Sequence, residues 1–257
     1  MAAAELRILE HGEELAREAA EFVAWIGEQA ITSRGAFRIA LSGGSTPKAL
    51  HAQLAANHAT RLDWSQVCFF FSDERCVAPD HTDSNFRMAN ETLLVPLKIA
   101  TSKIFRLHGE EDPAQAARQY EETIRAEFAT AAPAWPRFDL ILLGLGDDGH
   151  TASLFAGTPA LHQQQRLVVP TQAPQGPKQR LTFTAPLINQ AHTVAFLVSG
   201  ADKASAVRTV LEDRAANPKT IPAKLITPAS GRLVWFMDRA AAAGLTMEQQ
   251  RVVSNEE

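Results

Sequence analysis

The chain keeps returning to one pattern: a short unbroken apolar run, then turn residues, then a stretch with helical spacing. The runs are Phe37–Leu41, Val67–Phe71, Phe138–Leu143, Thr193–Val198 and Leu233–Met237. A strand with one wet face would alternate apolar and polar residues; these do not, so each is expected to be covered on both faces. Between them, helical patterns lie at about 47–56, 84–95, 113–129 and 202–213. Parallel neighbours need such crossovers, which predicts an α/β fold: a Rossmann-like, doubly wound α/β/α sandwich around a mainly parallel sheet, with these runs as its central strands. Residues 13–30 add an amphipathic helix with Leu15, Ala19, Phe22, Val23, Ile26 and Ala30 on one stripe.

Residues 170–190 break the rhythm. PTQAPQGPKQR reads as a Pro- and Gln-rich loop, and RLTFTAPLI alternates like a strand with one polar face, so a small insertion at a sheet edge is expected. No repeat or low-complexity linker marks a boundary, and residues 1–257 are read as a single domain.

At 257 residues and 46% apolar content the chain can bury a core without disulfides or metal. A net charge of −4 gives no global field for a polyanion, so neither nucleic acid nor a membrane surface is an expected partner. Cys68 and Cys76 match no metal-ligand spacing and read as reduced thiols in packing roles. Glu5, Glu10, Glu13 and Glu14 crowd the segment where an export signal would be basic and then apolar. A cytoplasmic protein is expected, either a monomer or a small homo-oligomer.

In open α/β sheets ligands collect beyond the carboxyl ends of the strands. The first such junction is Ser42-Gly43-Gly44-Ser45-Thr46-Pro47. Glycines let backbone N–H groups approach a phosphate, a helix start adds positive partial charge, and hydroxyls donate further bonds. The plainer reading is a glycine turn with a serine cap. The second is Ser72-Asp73-Glu74-Arg75, where Arg75 could clamp a phosphate or an oxyanion and Asp73 or Glu74 could orient it or contact sugar hydroxyls. A surface salt-bridge loop with Ser84 as a helix cap is the alternative. The third, Gly144-Leu145-Gly146-Asp147-Asp148-Gly149-His150, formally matches GxGxxG. The acid that would hold a ribose about 20 residues on is missing, since no Asp or Glu lies between Asp148 and Asp202. A histidine beside carboxylates remains, either a general base steadied by an anion or an ordinary surface residue. The fourth is Ser199-Gly200-Ala201-Asp202-Lys203, with a lysine where cations oppose the helix dipole; a phosphate would explain it, as would simple solvation.

Together LSGGSTPKAL, FFFSDERCV with DSNF, FDLILLGLGDDGHTASLF and FLVSGADKA resemble the 6-phosphogluconolactonases, over about residues 37–238. The wider superfamily includes glucosamine-6-phosphate deaminases, in which the segment after the histidine typically reads like AFNEP. Here it is Ala152-Ser153-Leu154-Phe155, without the glutamate. The resemblance implies the Rossmann-like fold, no cofactor and no metal, and hydrolysis of 6-phospho-D-glucono-1,5-lactone in the pentose phosphate pathway. A deaminase, or a sugar-phosphate sensor without catalysis, is the alternative. On this reading His150 is general base and then acid, and Asp148 orients it. Arg75 serves the oxyanion or the phosphate. Ser42, Gly43, Gly44, Ser45, Thr46, Asp73, Lys203 and the family-like Arg180 bind the substrate. No serine nucleophile is expected, because GxSxG is absent.

Overall fold

Each apolar run is strand-sized and can bury its two faces only between helices, and that is how the chain folds. The architecture is that of a computed structural model, which describes residues 4–246. In chain order the strands are β1 (Glu5–Leu9), β2 (Phe37–Leu41), β3 (Val67–Phe71), β4 (Asp73–Arg75), β5 (Leu140–Leu143), β6 (Val168–Gln172), β7 (Gln179–Phe183), β8 (Thr193–Val198) and β9 (Arg232–Asp238). The helices are α1 (Gly12–Arg34), α2 (Ser45–Asn57), α3 (Asn85–Ala89), α4 (Pro113–Glu127), α5 (Ala185–Ile188), α6 (Ala204–Leu211) and α7 (Arg239–Ala242).

A six-stranded sheet runs β1-β9-β8-β5-β2-β3, every pairing parallel. α1 buries its Leu15, Phe22, Val23 and Ile26 stripe and stops at Gly35, whose φ of 75° is the left-handed conformation that glycine adopts freely. α4 begins at Pro113 under an Asp112 cap that accepts from the Gln115 N–H at 2.9 Å.

The structure differs from the sequence reading in four places. β3 is the outermost strand, not a central one. All five of its residues are buried, and its outer edge is met at one point, where Phe105 N–H donates to the Phe69 carbonyl at 2.8 Å. The expected helix over 84–95 is α3 followed by a π-helical turn, Asn90–Leu94. β1 was not anticipated; its charged residues Glu5 and Arg7 sit on the other edge and pair with each other. The insertion is a β6–β7 hairpin that pairs with β4, the continuation of β3 past Ser72, in a three-stranded antiparallel sheet. The polar face of β7 is not exposed: Arg180 and Thr182 are buried.

One core cluster includes residues of both sheets, among them Phe69, Leu142, Leu181 and Phe183. Cys68 and Cys76 are free thiols, each pushed up to about 11 by burial. Among the described residues no helix is long and apolar enough to cross a membrane.

Candidate active site

The chain leaves β2 toward β3 on one side, and from β5 proceeds to β8 and β9 on the other, so the winding reverses between β2 and β5. Connections diverge there and leave a crevice at the carboxyl ends. The β2 turn and the β5 loop meet at this point: a methyl on Gly144 would lie 3.9 Å from Ser42 Oγ. The β8 turn flanks β5 on the far side, so the loop carrying His150 stands between two glycine turns.

His150 Nδ1 lies 2.6 Å from Asp148 Oδ1, and the same oxygen accepts the His150 backbone N–H at 3.0 Å. Partial burial pushes the Asp148 carboxyl up, but the two bonds from His150 and its charge outweigh that and hold it below the usual range. An ionised carboxylate can only accept, so the proton of this bond sits on Nδ1, and Nε2 is the ring nitrogen left outside the pair. The ring packs on Phe155 at 4.5 Å between centroids. Gly146 makes the pair possible, since a methyl there would collide with both His150 Nδ1 and Asp148 Oδ1. Gly149, at φ 80°, lies against Ile221, and its carbonyl accepts from Ala223 N–H at 2.9 Å.

The two flanking turns share a backbone. Gly44 opens α2 with φ 106°, ψ 172°, and Gly200 opens the helical turn before α6 with φ 106°, ψ 147°. Neither start has a side-chain cap, so the serine cap of the plainer reading is absent and the first-turn N–H groups have no capping side chain. Ser45 is exposed, Thr46 is half-buried and Ser42 is buried. Lys203 lies 3.0 Å from Asp202. The second turn is anchored by the buried Asp238, which ends β9 and accepts from Ser199 Oγ and Gly200 N–H.

β4 turns Asp73 and Glu74 into buried scaffold and leaves Arg75 half-buried beside them. Glu74 accepts N–H bonds from Asn85 (2.8 Å), Phe86 (2.8 Å) and Arg75 (2.7 Å), capping α3 beside Ser84, and burial raises its carboxyl above the usual range. Asp73 accepts from Ser153 Oγ (2.7 Å) and Asn85 Nδ2 (3.2 Å). Arg75 faces Arg180 across the β4–β7 ladder. Burial, and then the like charge of Arg75, lower the Arg180 guanidinium from its usual value. Arg75 Nε is buried without a hydrogen-bond partner, and so is Oγ1 of Thr171, which pairs with Arg180 on β6. Two guanidinium groups and unsatisfied polar atoms gathered this way suit an anion. Among the described residues no group of three or more His, Cys, Asp or Glu is placed to hold a metal.

The family model for glucosamine-6-phosphate isomerases/6-phosphogluconolactonase matches residues 10–235. The chain belongs to this family. A Synechocystis 6-phosphogluconolactonase is 45% identical over 218 residues, 84% of this chain and 88% of the relative. A probable 6-phosphogluconolactonase 2 of Oryza sativa subsp. indica is 37% identical over 254 residues, 95% and 91% of the two chains. The solved 6-phosphogluconolactonase of Trypanosoma cruzi superposes with a TM-score of 0.85 at 28% identity, covering 95% of this chain and 97% of that one.

Within the family fold, the sequence-expected residues fall into two groups. Ser42–Thr46, Asp148, His150 and Lys203 all stand at the carboxyl ends of the adjacent strands β2, β5 and β8. Arg75 and Arg180 come together on the small sheet. Asp73, expected to orient Arg75 or touch sugar, instead binds Ser153 and Asn85. Asn85, Ser153, Thr182 and Asp238 were missed. Asp238 carried the available signal, a carboxylate ending an apolar run; Ser153 and Thr182 looked like ordinary polar residues.

Proposed function

We propose that the chain hydrolyses 6-phospho-D-glucono-1,5-lactone to 6-phospho-D-gluconate, in the oxidative branch of the pentose phosphate pathway and in the cytoplasm, with residues 1–257 working as one domain. The observation that carries this reading is the His150 ring, held at Nδ1 by Asp148 between two uncapped glycine turns. The likeness to proteins named 6-phosphogluconolactonase supports it.

Nε2 of His150 takes a proton from water as the water oxygen bonds to the lactone carbonyl carbon. The carbonyl oxygen becomes an oxyanion, met by backbone N–H groups and Arg75. When the tetrahedral centre collapses, the bond from that carbon to the ring oxygen breaks. The proton passes from Nε2 to that oxygen, giving a hydroxyl and a carboxylic acid, and the acid then loses its proton to solvent. Asp148 stabilises the imidazolium in between, by roughly the contribution of a charge-assisted hydrogen bond, about 1.5–3 kcal/mol. The 6-phosphate is held by the Ser42–Thr46 turn and Lys203, with Arg180 beside Arg75, so that remote binding aligns the lactone. No step draws on a metal or cofactor.

Incubating the purified chain with freshly generated 6-phosphogluconolactone, and separately with glucosamine 6-phosphate, tests this. Acid release from the lactone above the spontaneous rate is expected. Ammonia release without lactone hydrolysis would assign the deaminase chemistry instead, and binding of the product without turnover would make the chain a sensor.

A further inference from the structure

The loop that carries His150 contains a conformation that needs outside support. Ala152, two residues after the histidine, has φ 46°, a left-handed backbone unfavourable for a residue with a Cβ. Next to it, Ser153 is buried at 1% exposure and makes two bonds to the small antiparallel sheet. Its N–H donates to Thr182 Oγ1 on β7 at 3.1 Å, and its Oγ donates to Asp73 Oδ2 on β4 at 2.7 Å. Asp73 and Thr182 are direct partners across the β4–β7 ladder, so both bonds end on one rigid pair.

The strut continues to the other side of the crevice. The second oxygen of Asp73 accepts from Asn85 Nδ2, and Asn85 Oδ1 lies against Gly43, where any side chain would collide with it. One buried carboxylate thus ties the β5 loop to the β2 turn.

We infer that Ser153 is a positioning residue for His150, acting with Asp73 to fix the imidazole at a set height over the β2 turn. This rests on the hydrolase reading above, with His150 as the base. The hairpin insertion thereby has a mechanical role, with β7 and β4 forming the platform from which the loop is held. Removing the hydroxyl releases the left-handed turn, and the histidine loses alignment while the phosphate turn keeps its shape. A displacement of about 1 Å in a reacting group costs on the order of a hundredfold in rate.

The test is Ser153→Ala against wild type, reading kcat and KM for the lactone, the pH profile of kcat, and the titration of the His150 ring by NMR in free protein. The expected result is a kcat loss of about tenfold to a hundredfold with KM within about twofold, and a displaced His150 titration. Unchanged kcat with an unmoved His150 titration would overturn the inference, and so would equal loss in KM and kcat with that titration unmoved. A wild type that leaves the lactone intact condemns the hydrolase reading, while the NMR titration still decides the strut. If Ser153→Ala does not fold, Thr182→Val removes the acceptor of the Ser153 N–H and is read in the same way.

Discussion

Gly44, in the turn after β2, and Gly146, in the loop after β5, put the same residue to opposite ends. Gly44 has a φ of 106°, and a methyl on it would find only Pro47 Cδ at 3.9 Å. What glycine supplies there is backbone conformation, leaving N–H groups open to a ligand. In the loop, Gly146 is required for space, because His150 and Asp148 occupy the position of its missing side chain. In the proposed mechanism the main chain of the Gly44 turn serves binding and the side chains of the neighbouring β5 loop serve chemistry.

The largest expected effect bears on the chemical half of that division. His150→Asn should lower kcat by about a hundredfold or more, the usual contribution of a positioned acid–base, with KM for the lactone almost unchanged. Steady-state kinetics on the phosphorylated lactone decides it; a variant that loses affinity and keeps turnover would reverse the assignment.

Gly146→Ala comes next, with an expected loss of about ten- to a hundredfold in kcat, since the added methyl must push the ring off Asp148. Gly44→Ala separates the two uses of glycine: it meets no neighbour but strains the turn, and should raise KM more than it lowers kcat. The same pattern of loss in both variants would erase the distinction.

Lys203→Ala is expected to act on the phosphate alone. The ratio of kcat/KM between phosphorylated and unphosphorylated lactone should fall by about tenfold to a hundredfold, the equivalent of a charge-assisted contact of about 1.5–3 kcal/mol. Equal slowing of both lactones would move Lys203 to the reacting centre or the fold.

The parallel sheet was legible in the sequence because a strand buried on both faces leaves a continuous apolar run. β2, β3 and β8 match their runs residue for residue, whereas β5 begins at Leu140 because Asp139 before it is bound by the Arg34 side chain and the Arg38 N–H. The small sheet was only half legible. Asp73-Glu74-Arg75 has no strand-like composition and is a strand because β7 pairs with it. In the site, the residues at strand ends could be read because topology alone gathers them. Ser153 and Asn85 could not, since their importance lies in partners 80 and 12 residues away.

The smallest effect concerns a histidine on the binding side. His51 lies on α2, the helix that the Gly44 turn opens. It is fully buried, with Nδ1 3.3 Å from Thr92 Oγ1 and no partner on Nε2. Burial lowers its pKa to about 4, from 6.5 in an unfolded chain. Because the folded value is the depressed one, the unfolded chain takes up the proton first as pH falls. Stability is complete above about pH 6.5 and is progressively lost toward pH 4. At pH 5 the loss from this group alone is about 2 kcal/mol. His150, by contrast, is half-buried and already bonded to a carboxylate. Acid should therefore act on α2 through the fold and on the β5 loop through protonation of the base. Urea midpoints measured at about pH 7.5 and pH 5 for wild type and His51→Leu separate these routes. The variant should lose the part of the acid sensitivity that His51 carries, while its kcat profile keeps the wild-type acid limb. An unchanged pH dependence of stability in His51→Leu would show that His51 does not carry that loss.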